Sequence, residues 1–365
     1  MAECADLQEV VRLLRKRFKD DPRYYPDRVV DGFAARRDPD PDEDDSPLLN
    51  RICSAYIKST ERQQAASPAF SPTQWWRRIS EKSLGPVVRA LSKRDIDALR
   101  SMYRNFFRDP CSTGLVGLPV DMQKRFFGDH IRSFYRELFL GDALHRIDLW
   151  KSWTGNQFPL TALAAPEIGN PYGISIDGVL IRIAAEYQHF YALEIASLLR
   201  TEETGTVMEI GGGFGGMAYY LIRDCPGVKY INFDVPETIA LASYYLLKSF
   251  PKLKATLYGE APGDSDIVLM PSCELPRMDD YSVNVSFTSN VLRDMSAPVA
   301  CEYIHHIARV TRSHILNIDS FETLRLFSEH LSRQAKPFKL TRTRRVFWNS
   351  ARALQSDELE CLFSV

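Results

Sequence analysis

The chain has 365 residues, 45% hydrophobic and 25% charged, an ordinary globular composition that supports a sizeable core in two domains or in one domain with a long extension. Its 46 Lys and Arg nearly cancel 47 Asp and Glu, and no basic block is long enough to act as a nucleic-acid arm, which sets nucleic acid aside as a partner. No window approaches the roughly 18 apolar residues of a membrane span, and Met1 to Lys19 is a charged, apolar-periodic pattern rather than a secretory signal.

Seven cysteines are scattered and never spaced as C-x-x-C. That odd, unpaired set argues against a disulfide framework or a structural zinc site, and for a cytoplasmic protein in a reducing compartment.

In chain order, Leu7, Val10, Val11, Leu13 and Leu14 mark a short amphipathic helix. Arg36 to Pro47 is mostly Asp, Glu and Pro, which bury no apolar area, so it reads as a surface loop or disordered linker. Ser71-Pro72 is a cap followed by proline and predicts a helix start, carrying Trp75, Trp76 and Ile79. Further helical patterns cover Arg94 to Phe107, Met122 to Leu140 and Gly178 to Arg200, with a loop-rich stretch, Trp150 to Asp177, between the last two.

From Val207 the texture changes. Short apolar runs (Val207 to Ile210, Tyr230 to Phe233, Lys254 to Tyr258, Ile267 to Met270, Val283 to Phe287, His314 to Ile318) alternate with helical ones (Met217 to Arg223, Thr238 to Ser249, Val299 to Val310). Alternating strands and helices predict an α/β fold, a Rossmann-like doubly wound parallel sheet with ligands at the C-terminal strand ends. Lys339 to Trp348 supplies closing strands, and Arg342, Arg344 and Arg345 read as a solvated basic face. The predicted division is a helical N-terminal domain over 1–175, shaping an acceptor pocket, and a ligand-binding domain over 176–365.

The most informative run is Val207-Met208-Glu209-Ile210-Gly211-Gly212-Gly213-Phe214-Gly215-Gly216. A strand, a glycine turn and a helix let a ligand approach bare backbone. Nicotinamide sites use the same device, with an acid about 20 residues on. Here an acid also precedes the first glycine, and Asp234 closes the next strand, 25 residues after Glu209. Two acids around a glycine turn suit a ligand with an amino-acid cation and a ribose but no pyrophosphate, and S-adenosylmethionine has that inventory. A carboxylate facing a vicinal diol is a charge-assisted, bidentate arrangement.

Glu209, Gly211, Gly213 and Gly215 fit the acid-x-Gly-x-Gly-x-Gly turn of class I methyltransferases. With the flanking Asn232-Phe233-Asp234-Val235-Pro236-Glu237-Thr238 and the later Ser289-Asn290-Val291-Leu292-Arg293-Asp294-Met295, the chain resembles the sugar O-methyltransferase family of antibiotic and polysaccharide gene clusters. The resemblance implies that Glu209, Gly211, Gly212, Gly213 and Gly215 face the methionine part of S-adenosylmethionine. It also implies that Asp234 and Val235 face the ribose, and that the acceptor is a sugar-containing small molecule of natural-product biosynthesis. Glu237 reads either as a helix-start acid or as a cofactor contact. Homo-oligomerisation is left open.

An alcohol nucleophile must lose a proton, so a His, Asp or Glu is expected within reach. The segment Leu292-Arg293-Asp294-Met295 resembles the "LHDW" of plant-type O-methyltransferases, but with Arg293 at the His position, and arginine is no base at neutral pH. Three candidates remain. Asp294 either acts as base or caps the helix near Ser296. His189 shares with Arg182 and Glu186 a polar helix face, opposite a buried stripe, that meets solvent or lines a cleft, and Glu186 could orient it. Asp319, with Glu322, follows a strand and is either a base or a ligand of a divalent metal, though no multi-carboxylate spacing supports a metal. His305 and His306 read as structural or exposed. Trp150, Trp153, Tyr172 and Tyr187 either stack on a sugar ring or pack in the core. Two competing readings are an N- or C-methyltransferase on a non-sugar acceptor, for which Arg293 needs no explanation, and a cofactor-binding protein without catalysis.

Overall fold

The computed structural model describes residues 2–28, 36–38, 44–117, 133–199, 205–261, 263–333, 338–346, 348 and 358–365. The chain runs through α1 (Ala2–Arg17), α2 (Ser46–Gln64), α3 (Gln74–Ile79), a π-helical turn (Ser80–Leu84), α4 (Gly85–Lys93), α5 (Ile96–Tyr103) and α6 (Ser133–Trp153). Strands β1 (Gly173–Ile176) and β2 (Val179–Arg182) precede α7 (Ala185–Leu198). Then follow β3 (Thr206–Ile210), α8 (Gly216–Asp224), β4 (Lys229–Asp234), α9 (Pro236–Ser249), β5 (Ala255–Leu257), β6 (Ile267–Pro271) and β7 (Val283–Ser289). The last elements are α10 (Ala297–Val310), β8 (Thr311–Ser320), α11 (Phe321–Leu331), β9 (Lys339–Arg345) and β10 (Glu358–Ser364).

Two compact units interleave along the chain. One comprises 1–38, 104–190 and 347–356; the other comprises 39–103, 191–346 and 357–365. Within the second unit α2 packs a buried face of Leu49, Ile52, Cys53, Ala55 and Tyr56 on α9.

The second unit holds an eight-stranded sheet in the order β5-β6-β4-β3-β7-β8-β10-β9. The strands from β5 to β8 are parallel to their neighbours, and β10 runs antiparallel to both β8 and β9. This is the expected doubly wound Rossmann-like sheet. Its order reverses at β3, which has β4 on one side and β7 on the other, and ligands bind outside the C-terminal strand ends at such a reversal. Four of the five β3 residues are buried and β7 is buried over six, the continuous apolar pattern of parallel strands covered on both faces. One core layer joins Met208, Ile210, Phe233, Ile315 and Phe363 to Ala300, Ile304 and Ile307 of α10 and Leu324 and Phe327 of α11. Helix α10 follows the 3.6-residue rule, with Ala300, Tyr303, Ile304, Ile307 and Ala308 buried. Helix α9 is buried almost all round from Thr238 to Leu246, because it lies along β4 and β6 with α2 against it.

Several expectations change. Helix α3 starts at Gln74, capped by Thr73, whose hydroxyl accepts from the Trp76 amide at 3.2 Å, so Ser71-Pro72 is not the start. Gly178 to Arg182 is not helical. Asp177 and Gly178 both take positive φ, 52° and 77°, and form the two-residue turn of the β1–β2 hairpin, for which Asp-Gly is the usual sequence. Arg342 and Arg344 do not form a solvated face. They grip the fully buried Glu360, at 2.9 Å and 2.8 Å, and Arg342 also pairs with Glu194. Strand β10 had no counterpart in the sequence reading. Residues 122–132 of the predicted Met122 helix and 39–43 of the acidic linker lie outside the described residues.

Candidate active site

The glycine turn leaves the C-terminal end of β3 and is fastened to β4 amide by amide. The amide of Gly211 donates to the Phe233 carbonyl at 2.8 Å, that of Gly212 to Asn232 Oδ1 at 3.2 Å, and that of Gly213 to Asp234 Oδ2 at 3.1 Å. Asn232 and Asp234 are two residues apart on one strand, so their side chains share a face and meet successive turn amides. Gly212 sits directly against β4. A Cβ there would lie 2.8 Å from Asn232 Oδ1 and 2.9 Å from the Tyr230 hydroxyl. Gly215, at φ 89°, caps α8, and its amide returns to the Gly212 carbonyl at 3.0 Å. The sequence reading missed Asn232 and Tyr230. Their signal was the period-two alternation Tyr230, Asn232, Asp234 on a strand that otherwise reads as apolar.

Two carboxyls stand beside this turn. Glu209 is 5% exposed, and its Oε2 accepts from the Tyr230 hydroxyl. Burial pushes it up to about 8; the tyrosine bond opposes that rise and the charge of Asp234 adds to it. Asp234 is part-buried at the end of β4, with Oδ1 accepting from the Val235 amide at 2.7 Å. Desolvation pushes it up to about 7, the Val235 and Gly213 amides pull it down, and Glu237 raises it. A site with two acids held near neutrality is poised for a ligand that brings positive charge and hydroxyl donors. Glu237 sits in the first turn of α9, where its Oε1 accepts from the Trp76 indole at 2.7 Å.

Both Asp294 and Asp319 belong to the sheet-containing unit. Asp319 is fully buried at the C-terminal end of β8. Its Oδ1 accepts from the Ser320 amide at 2.7 Å, while Oδ2 has no hydrogen-bond partner. Desolvation pushes it up to about 6, against the Ser320 amide and the Arg293 charge. Beside it, Asn290 at φ 57° closes the exit of β7, its amide donating to the Ile318 carbonyl at 2.8 Å. Arg293 is tied to Asn290 Oδ1 at 2.8 Å and to Glu358 at 3.1 Å. Asp294 is exposed in a short 3-10 turn, and partial desolvation raises it against the same arginine. It does not cap α10, whose cap position is Ser296.

His189 lies in the other unit and is buried, as are Arg182 and Glu186. The α7 face that carries Glu186 and His189 therefore does not meet solvent, and Arg182 belongs to β2 rather than to that helix. His189 Nδ1 accepts from the Trp150 indole at 3.1 Å, so that indole orients the ring; the neutral imidazole then carries its proton on Nε2 and offers no lone pair there. Burial pushes Glu186 up to about 7. Trp150 and Tyr172 are fully buried core residues, while Trp153 and Tyr187 pack against Trp348. His305 is exposed and His306 is buried beside Glu302.

No family model matches the chain. A curated relative, desmethylxanthohumol 6'-O-methyltransferase of Humulus lupulus, is 38% identical over 66 residues, which span 18% of this chain and 18% of the relative. Among solved structures, magnesium protoporphyrin IX methyltransferase from Synechocystis PCC 6803, solved with S-adenosylmethionine, gives a TM-score of 0.37 at 11% identity over 61% of this chain and 96% of that chain. N-methyltransferase NodS from Bradyrhizobium japonicum WM9, in complex with S-adenosylhomocysteine, gives 0.35 at 12% identity over 49% of this chain and 86% of that chain. At these scores the fold is defined by the strand order itself. Among the described residues no helix is long and apolar enough to cross a membrane.

Proposed function

We propose that this chain is a class I S-adenosylmethionine-dependent methyltransferase that acts on a hydroxyl of a small molecule. One observation carries the reading. Consecutive amides of the turn, Gly212 and Gly213, are held by Asn232 and Asp234, and this brings the bare turn, Glu209 and Asp234 to one crevice at the reversal of the sheet. The residues fit the cofactor. Glu209 answers the amino-acid cation, Asp234 accepts from the ribose hydroxyls, and the glycine backbone leaves room for the chain between them.

S-adenosylmethionine, when bound, supplies a methyl group already activated by a positive sulfur. The protein's share is alignment and proton removal. Asp319 is the base: a buried carboxyl at about 6, steadied by the Ser320 amide, the Thr323 hydroxyl and Arg293, is mostly ionised at neutral pH and takes a proton readily. Arg293, fixed by Asn290 and Glu358, sets its guanidinium beside Asp319 and favours the ionised form of that carboxyl. The hydroxyl assignment is supported by this base and by the O-methyltransferase name of the curated relative. A sugar-bearing acceptor is supported by the resemblance of Asp234-Val235-Pro236-Glu237-Thr238 and the glycine turn to sugar O-methyltransferases. The test is methyl transfer from labelled cofactor to a panel of glycosylated, phenolic and amine acceptors, with the product analysed by mass spectrometry. Methylated hydroxyls support the reading, and transfer confined to amines rejects it.

A further inference from the structure

Trp76 and Glu237 are 161 residues apart, yet the indole Nε1–H donates to Glu237 Oε1 at 2.7 Å. An acid in the first turn of a helix is ordinarily satisfied by the helix dipole and solvent. Here a side chain from a separate helix adds a second donor to the one supplied by the helix start itself. Burial pushes Glu237 upward, and its own backbone amide and then the Trp76 bond draw it back. Glu237 stands three residues after Asp234, on the first turn rising from the crevice edge, so a helix tied to it is tied at the C-terminal edge of the sheet. Helix α3 has only 6 residues and passes straight into the π-helical turn Ser80–Leu84. Such turns are local irregularities found often at functional sites. Trp75, packed on Trp76 with ring centroids 6.1 Å apart, keeps 45% of its surface exposed.

We propose that Trp76 and Glu237 are positioning residues that fix α3 and its tryptophan pair as one wall of the nucleoside crevice. The inference rests on Asp234 being the ribose-binding carboxylate. Among the described residues, the titratable groups whose ionisation responds to Glu237 or Asp234 include Tyr56 from α2, Glu209 from β3, Tyr230 from β4 and Tyr303 from α10, none of them positive. The tie needs only an acceptor at position 237. Glutamine retains it through its amide oxygen, and alanine removes it.

The test uses the full chain, S-adenosylhomocysteine as probe, calorimetry for affinity, and the Trp76 indole N–H resonance assigned through Trp76→Phe. Saturation should shift that resonance with the dissociation constant given by calorimetry. Glu237→Ala should weaken binding roughly 10-fold, in line with loss of one hydrogen bond, and Glu237→Gln should restore it to within about threefold. Binding to the native chain without movement of the Trp76 signal overturns the proposal. So does native affinity in a folded Glu237→Ala protein. An absence of any binding to the native chain instead removes the reading of Asp234 itself, and the positioning role with it.

Discussion

The hydroxyl of Tyr230 on β4 donates to the carboxyl of Glu209 on the neighbouring β3, so the acid that precedes the glycine turn is anchored from beneath rather than left to solvent. The cost is a carboxyl pushed up to about 8 by burial. Because the folded value lies above the ordinary one near 4.5, the stability contributed by the neutral form is complete in acid. It is lost as pH rises through neutrality to about 8.

Glu209→Gln keeps an acceptor for Tyr230 and cannot ionise. The unliganded native protein should lose thermal stability between mildly acidic and mildly alkaline pH, while the variant stays flatter and melts a few degrees higher at the alkaline end. Parallel melting curves for the two proteins across that range would contradict the assignment of the raised group to Glu209.

Asp234→Asn exchanges a charged acceptor for a neutral one where two ribose hydroxyls are expected to bind. A hydrogen bond to a charged group is worth about 1.5–3 kcal/mol, so affinity for S-adenosylhomocysteine should fall roughly 10- to 100-fold. The fold should persist with one bond fewer, because the single amide oxygen can accept from Gly213 or from Val235 but not from both. Affinity within a factor of two of the native protein would place the ribose elsewhere.

Gly212→Ala introduces a Cβ 2.8 Å from Asn232 Oδ1 and 2.9 Å from the Tyr230 hydroxyl. Those atoms are held by their own hydrogen bonds, so the turn must move, at a cost of about 1–3 kcal/mol. Cofactor binding should be lost well before the protein unfolds. A variant that binds normally would show that the turn has slack.

Asp319→Asn removes the base and leaves the glycine turn intact. Turnover on a hydroxyl acceptor should fall about 10²- to 10⁴-fold, with cofactor affinity unchanged. The native rate should rise with pH through an acid limb near 6, where Asp319 ionises. A rate that is indifferent to the substitution would favour an acceptor nitrogen that arrives already neutral.

Much of this was legible in the sequence because it is local. The alternation of short apolar runs from Val207 onward predicts the doubly wound sheet, and Glu209, the glycines and Asp234 mark the crevice. What stayed hidden depends on partners distant in the chain. Glu360 is a buried acid on β10, and only Arg342 and Arg344 explain why it tolerates that place. His189 reads as part of a polar helix face, but Trp150, 39 residues earlier, buries and orients it. Trp76 looked like one aromatic of an N-terminal helix, and its partner Glu237 is 161 residues away. The Asp177-Gly178 hairpin is a different kind of miss, since its signal was local and was overridden by the helical period that follows.

Calorimetric titration of the native chain with S-adenosylhomocysteine at neutral pH, in two buffers of different ionisation enthalpy, bears on the central claim most directly. Glu209 and Asp234 lie near 8 and 7, so a ligand that brings an ammonium and two hydroxyl donors should drive protons off them. The account predicts one binding site with a net release of up to about one or two protons, reduced in Glu209→Gln. Binding without proton release, or no binding heat in either buffer, would contradict it.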